Sequence, residues 1–207
     1  GSDQDVNIDG QISAIQSVVK TDITEFSISL WCKLSAGISS SISLFKCRNT
    51  GSSNNQIVLV YHAYYNEFRF SPKFGGVADL CNGGATNADG DSYEGDGIWH
   101  HLVGTVSATN NTSEFWIDGV KKESIAGVGT LNETINGASL CQSGADNSYF
   151  DGDVKDVAIY GRQLSDAEIA IIHNRKSLSG DKGIDLVSGS HVSNTGLIAH
   201  FRFEEKS

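Results

Sequence analysis

Apolar and polar residues alternate with a period of two in run after run along this chain, the pattern of strands that bury one face. Phe26, Ile28 and Leu30 fall on one side of a first strand, with Ser27, Ser29 and Trp31 on the other. Ser43–Cys47 continues the pattern after a Ser/Gly loop. Gln56–Tyr61 and Glu67–Phe70 predict a hairpin around His62-Ala63-Tyr64-Tyr65-Asn66. Trp99–Val106 and Ser113–Asp118 predict a second hairpin, turning at Asn110-Asn111 and closed by Asp118-Gly119. Val154–Tyr160 and Leu197–Phe203 supply late strands. Short strands divided by Gly, Asn, Ser and Asp turns are those of an all-β antiparallel sandwich or jelly roll.

One helix interrupts the strands. Ser165-Asp166-Ala167-Glu168 is a capping box, in which the serine hydroxyl accepts from the Glu168 amide and the glutamate reaches back. Ile169, Ile171 and Ile172 then give an apolar side, so a short helix is expected near residues 165–175, packed on an edge or end of the sandwich. Residues 78–97, rich in Gly, Asn and Asp, and 178–194, rich in Ser and Gly, read as long loops, which in compact domains carry function or move.

The chain has 207 residues, enough for one large all-β domain with a sizeable core. Gly1-Ser2 reads as a tag remnant, leaving 3–207 as a single domain. A net charge of −10 argues against nucleic-acid or anionic-membrane partners, which select basic patches. No apolar run is long enough for membrane insertion. Cys32, Cys47, Cys81 and Cys141 lack the close pairs of a zinc site. They allow two disulfides in any of three connectivities, or four buried thiols. Sequons at Asn110, Asn111 and Asn132 would matter only in a glycosylating host.

Taken in order, five segments resemble the laminin-G-like domains of the concanavalin-A-like lectin/glucanase superfamily. They are Phe26-Ser27-Ile28-Ser29-Leu30-Trp31, Trp99-His100-His101-Leu102-Val103 and Trp116-Ile117-Asp118-Gly119, followed by the stretches 150–160 and 162–169. The resemblance implies a jelly roll of two curved antiparallel sheets and a non-catalytic recognition or adhesion module for a glycan or glycoprotein, outside the cell or on a cell or virion surface. The final strand, Thr195 to Phe203, resembles laminin-G-like proteins of marine phages and viruses in style. This keeps a structural virion or cell-surface component, assembling with its own copies, as the alternative. The superfamily also implies a structural Ca²⁺ that here would fall to Asp9 and Asp156, although a hydrogen bond from Asp156 to a neighbouring amide is the simpler expectation.

Recognition chemistry is expected from aromatic rings at turn tips, because sugars stack their C–H faces on such rings while polar neighbours bind hydroxyls. Tyr61, His62, Tyr64 and Tyr65 cluster at one hairpin, Tyr93 lies in the acidic loop, and Tyr149 precedes the Phe150-Asp151-Gly152 corner. Asp89, Asp91 and Asp96 in the 89–97 loop are the carboxylates best suited to Ca²⁺, which wants several hard oxygen donors; the loop lacks EF-hand spacing. Asp151, Asp153 and Asp156 do not form the acid-rich strand of the superfamily's hydrolases, so glycan hydrolysis is disfavoured. Adjacent on one strand, His100 and His101 point to opposite faces and cannot share a metal, and no neighbouring nucleophile suggests a triad.

Overall fold

The computed structural model describes residues 25–49, 51, 56–74, 77–78, 80–84, 90, 92–127, 137–142, 150–179 and 195–201. The strands are β1 (Glu25–Leu34), β2 (Ile42–Arg48), β3 (Gln56–His62), β4 (Glu67–Phe74), β5 (Val77–Ala78) and β6 (Cys81–Asn82). They continue with β7 (His100–Ser107), β8 (Thr112–Ile117), β9 (Val120–Ala126), β10 (Gly137–Gln142), β11 (Gly152–Tyr160) and β12 (Leu197–Phe201). A helix, α1 (Asp166–Ser179), separates the last two. One sheet runs β12-β11-β1-β7-β8-β9 and the other β10-β2-β3-β4-β5, with β6 paired to β4; the pairings are antiparallel. The architecture is the expected jelly-roll sandwich.

The core lies between the sheets. Phe26, Ile28 and Leu30 of β1 meet Phe45, Leu59 and Phe70 from the facing sheet, all fully buried. Alternation sets this, since every second residue of each strand must point to the same face. Gly104 of β7 faces the same core, where a Cβ would stand 2.3 Å from Cδ2 of Phe70. The Phe70 ring fills the space that the missing side chain leaves.

β1 is buried on both faces, because α1 covers the other side of its sheet. Leu164, Ile169 and Ile172 pack over Val103, Trp116, Ala158 and Tyr160 as a second apolar cluster. The helix therefore lies across a sheet face, not at an edge or end of the sandwich as the chain order alone suggested. The reason is that Trp31, Val103, Trp116 and Tyr160 make that face apolar and require a cover. Trp31 stacks on His101 at 4.8 Å and on His173 of the helix at 5.6 Å. Burying each large aliphatic side chain contributes roughly 1.5–3 kcal/mol.

Polar contacts lock the helix entry. Ser165 N–H donates to Glu168 Oε2 at 3.0 Å and Glu168 N–H to Ser165 Oγ at 3.4 Å, closing the capping box. Arg162 grips Glu168 with two nitrogens, at 2.9 and 2.6 Å. Ser27 Oγ accepts from Leu164 N–H at 2.9 Å and donates to the Arg162 carbonyl at 2.8 Å, tying the entry to β1. Among the described residues no helix is long and apolar enough to cross a membrane.

Two hairpins follow the sequence closely. β7 and β8 turn through Asn111, which takes a positive φ of 54°. β8 and β9 pair up to Ile117–Val120, leaving Asp118-Gly119 as a two-residue loop with φ of 52° and 75°. Positive φ at both positions is the type I′ turn that matches strand twist, which explains the Asp-Gly pair. The 78–97 stretch is less of a loop than its composition suggests, since β6 lies within it and pairs with Arg69 and Phe70.

Candidate functional site

The β3–β4 hairpin builds the most exposed aromatic surface among the described residues. Tyr65 N–H donates to the His62 carbonyl at 3.2 Å and Asn66 N–H to that of Ala63 at 3.2 Å, with Asn66 in the left-handed region at φ 52°. The turn is pinned from two sides. Ala63 N–H donates to Ser41 Oγ at 3.2 Å, and Asn66 Nδ2 donates to Ser92 Oγ at 2.5 Å. Tyr64 is left 85% exposed and Tyr65 52%, their rings nearly perpendicular at 4.8 Å. The His62 ring lies 4.9 Å from Tyr65, and the Arg69 guanidinium sits 4.4 Å from the Tyr65 ring centre. Glu67 holds Arg69 in an ion pair through Oε1.

From this tip, strand register lays the outer face of the sheet out in rows. His62 and Glu67 form the first; Ser43, Val60, Arg69 and Asn82 the second. Ser139, Lys46, Val58 and Ser71 form the third; Arg48, Gln56 and Lys73 the fourth. His62 Nδ1 and Asn82 Oδ1 are buried without a hydrogen-bond partner, and both belong to the two rows nearest the tip. Burial holds the Lys46 ammonium below its ordinary pKa, and the nearby Arg48 adds to the effect.

The structure separates the expected ring set. His62, Tyr64 and Tyr65 come together at the tip. Tyr61 and Tyr93 are fully buried in the core and cannot offer a ring face to a sugar. Tyr61 falls on the inward side of β3, its ring 5.5 Å from Phe68, and its hydroxyl donates to Asn66 Oδ1 and Glu94 Oε2. Tyr93 packs 5.0 Å from Phe68 with its hydroxyl buried and unpartnered; burial, with Asp118 and Asp96 nearby, pushes its pKa up to about 12. Tyr149 lies outside the described residues. Glu67, Arg69 and Lys46 were missed, although the Glu67-x-Arg69-x-Ser71-x-Lys73 alternation in β4 marks a polar outer face.

The acidic loop is a structural brace where it is described. Asp89, Asp91 and the early Asp9 lie outside the described residues. Asp96 does not suit a cation: Oδ2 takes His100 Nε2 at 2.8 Å and Oδ1 takes Ile98 N–H at 2.8 Å. His100 Nδ1 bonds Asp118 Oδ2 at 2.7 Å. Burial alone would lower the His100 pKa, but the two carboxylates more than reverse this and raise it. A metal on Asp96 would have to displace the His100 contact. Glu94 Oε1 accepts from Ile38 N–H at 2.8 Å and from Gly37 N–H, anchoring the same loop to β1's exit. Among the described residues no group of three His, Cys, Asp or Glu side chains is arranged to hold a metal ion. Asp156 is buried in β11 with a positive φ of 50°, its Oδ1 3.8 Å from His200 Nε2. His100 and His101 do point to opposite faces, one into the brace and one under α1. All four cysteines are free thiols, so neither disulfide forms; Cys32, Cys47 and Cys81 are buried as small core residues.

Residues 7–170 match the Concanavalin A-like lectin/glucanases superfamily as its laminin-G type, and the chain belongs to that family. No curated protein matches the sequence. Among solved structures, the chain is similar to the CBM40 of the Ruminococcus gnavus IT-sialidase, with a TM-score of 0.63 at 11% identity over 83% of this chain and 92% of that one. The NanB sialidase from Streptococcus pneumoniae gives 0.62 at 16% identity, over 83% of this chain and 27% of that one. The botulinum neurotoxin serotype G binding domain gives 0.59 at 16%, over 75% and 37%. These likenesses are likenesses of fold.

Proposed function

We propose that the chain is a non-catalytic glycan-recognition module of an extracellular, cell-surface or virion-surface protein, and that it binds saccharide at the β3–β4 tip and the adjoining outer sheet face. The observation that carries this reading is the exposed Tyr64–Tyr65 pair, set beside His62, Glu67 and Arg69 on a rigid hairpin. Rings supply the stacking surface and the polar rows supply hydrogen-bond partners, the usual division of labour in a sugar site. The reading gains support from the R. gnavus CBM40, whose structure has also been solved bound to α2,3-sialyllactose. Hydrolysis is not supported by this face. It needs two carboxyl groups flanking one bond, and the described rows carry only Glu67, already committed to Arg69.

A glycan array probed with Ca²⁺ and again with chelator tests the proposal, and the two arms also decide whether binding depends on calcium. Bound glycans should raise the melting temperature by mass action, and Tyr64→Ala should reduce the gain. No binding in either arm, together with stable trimers in solution, would favour the assembly role and sink this one.

A further inference from the structure

The rows behind the tyrosine tip have an unusual charge. They hold Lys46, Arg48, Arg69 and Lys73 against one carboxylate, Glu67, in a chain whose net charge is −10. Glu67 is spent on Arg69. Lys46, Arg48 and Lys73 form no ion pair with any described residue, whereas Lys33 and Lys121 on the other sheet are each paired with a carboxylate. Lys46 is half-buried in the row of Ser139, Val58 and Ser71, with Arg48 two residues along the same strand face. Two like charges are thus held side by side, one of them partly stripped of water. An arriving anion relieves both conditions at once, by neutralising the pair and by replacing lost hydration with charge-assisted hydrogen bonds.

We infer that this face selects an acidic saccharide, its carboxylate or sulfate groups set on Lys46, Arg48 and Lys73 while its rings reach the Tyr64–Tyr65 tip. The inference rests on the glycan reading of the tip and deepens it. A saccharide fits better than other anions for two reasons. The positions between the cations are Ser43, Gln56, Val60, Ser71 and Ser139, which match alternating hydroxyls and C–H groups. A long polyanion such as a nucleic acid would also overlie the acidic remainder of the chain, where like charge repels it. Rows repeat roughly every 6.7 Å along a strand and strands roughly every 4.8 Å across, so neighbouring cations are spaced on the scale of one or two sugar rings.

The test titrates the whole chain by calorimetry with oligogalacturonate, its methyl ester, a sulfated oligosaccharide and oligoglutamate. An acidic saccharide should bind about tenfold more tightly than the neutral ester, as expected for one charge-assisted contact. Its affinity should fall as salt rises. Lys46→Gln should remove that preference with an unchanged melting temperature, Lys46→Arg should keep it, and Lys122→Gln on exposed β9 should have no effect. Equal binding of acid and ester, unmoved by Lys46→Gln, would overturn the acidic preference and leave the glycan module standing. Oligoglutamate binding as tightly as oligogalacturonate would overturn it in favour of a general polyanion surface. Binding of no saccharide at all would overturn both readings.

Discussion

Nδ1 of His100 lies 2.7 Å from Oδ2 of Asp118, and the same carboxylate takes the His101 N–H through Oδ1 at 2.8 Å. With Asp96 on the other ring nitrogen, His100 joins the 92–99 segment to the β8–β9 turn. The aromatic tip is linked to this brace through Ser92, which bonds Asn66.

Stability should therefore depend on pH through this pair. The His100 pKa is raised, so its contribution is complete below its ordinary value of 6.5 and is lost as pH rises through the raised value. Asp118 is held below its ordinary 3.8: burial pushes it up, but hydrogen bonds from His100 and the His101 amide outweigh burial. Its contribution is present above 3.8 and lost as pH falls through the lowered value. Melting temperature should be highest between these limits and fall on the alkaline side. His100→Gln should cost about 2 kcal/mol and flatten the alkaline fall, as read by urea denaturation across pH.

Gly104→Ala should destabilise the sandwich by about 2 kcal/mol, because the new methyl meets the Phe70 ring at 2.3 Å in a core without room for it. Chemical denaturation measures the loss. A wild-type midpoint would show that the two sheets can part locally.

The helix entry should respond to acid in its own way. The Arg162 hydrogen bonds outweigh burial and hold the Glu168 pKa at about 2, below its ordinary 4.5. That contribution is present above 4.5 and is lost as pH drops toward 2. Ser165→Ala should cost about 1 kcal/mol by removing the cap. Helix amide exchange should accelerate in Ser165→Ala before the β1–β7 amides change.

Tyr64→Ala and Tyr61→Phe should separate binding from folding. Tyr64 is almost fully exposed, so its loss should leave the melting temperature within a degree or so and weaken glycan binding. Tyr61→Phe removes the hydroxyl that joins Asn66 and Glu94 and should cost about 1 kcal/mol. Thermal melts paired with glycan titration read both.

A thiol reagent should count four free thiols in denatured protein, and reducing agent should leave the melting temperature unchanged. Cys141, the one partly exposed cysteine, should react first in the native state.

Local rules carried the sequence reading far. The strand faces of Phe26–Trp31, the turns at Asn111 and Asp118-Gly119, and the Ser165–Glu168 capping box all depend on near neighbours, and the structure has each of them. β9, with its Val120-Lys121-Lys122-Glu123 run, was not legible, because an exposed edge strand needs no buried alternation. The site was half legible. Tyr61 and Tyr65 are equally aromatic and four residues apart, yet one is core and the other is surface.

By itself, then, the sequence determined the all-β class, the family and the hairpin that carries the rings, since periodicity and turn chemistry are properties of adjacent residues. Tertiary structure alone decided that α1 lies across a sheet, that Asp96 serves His100, and that Lys46, Arg48 and Lys73 share one face. Those relationships come from strand pairing and sheet packing between segments far apart in the chain, and no local pattern encodes which distant partner a side chain will meet.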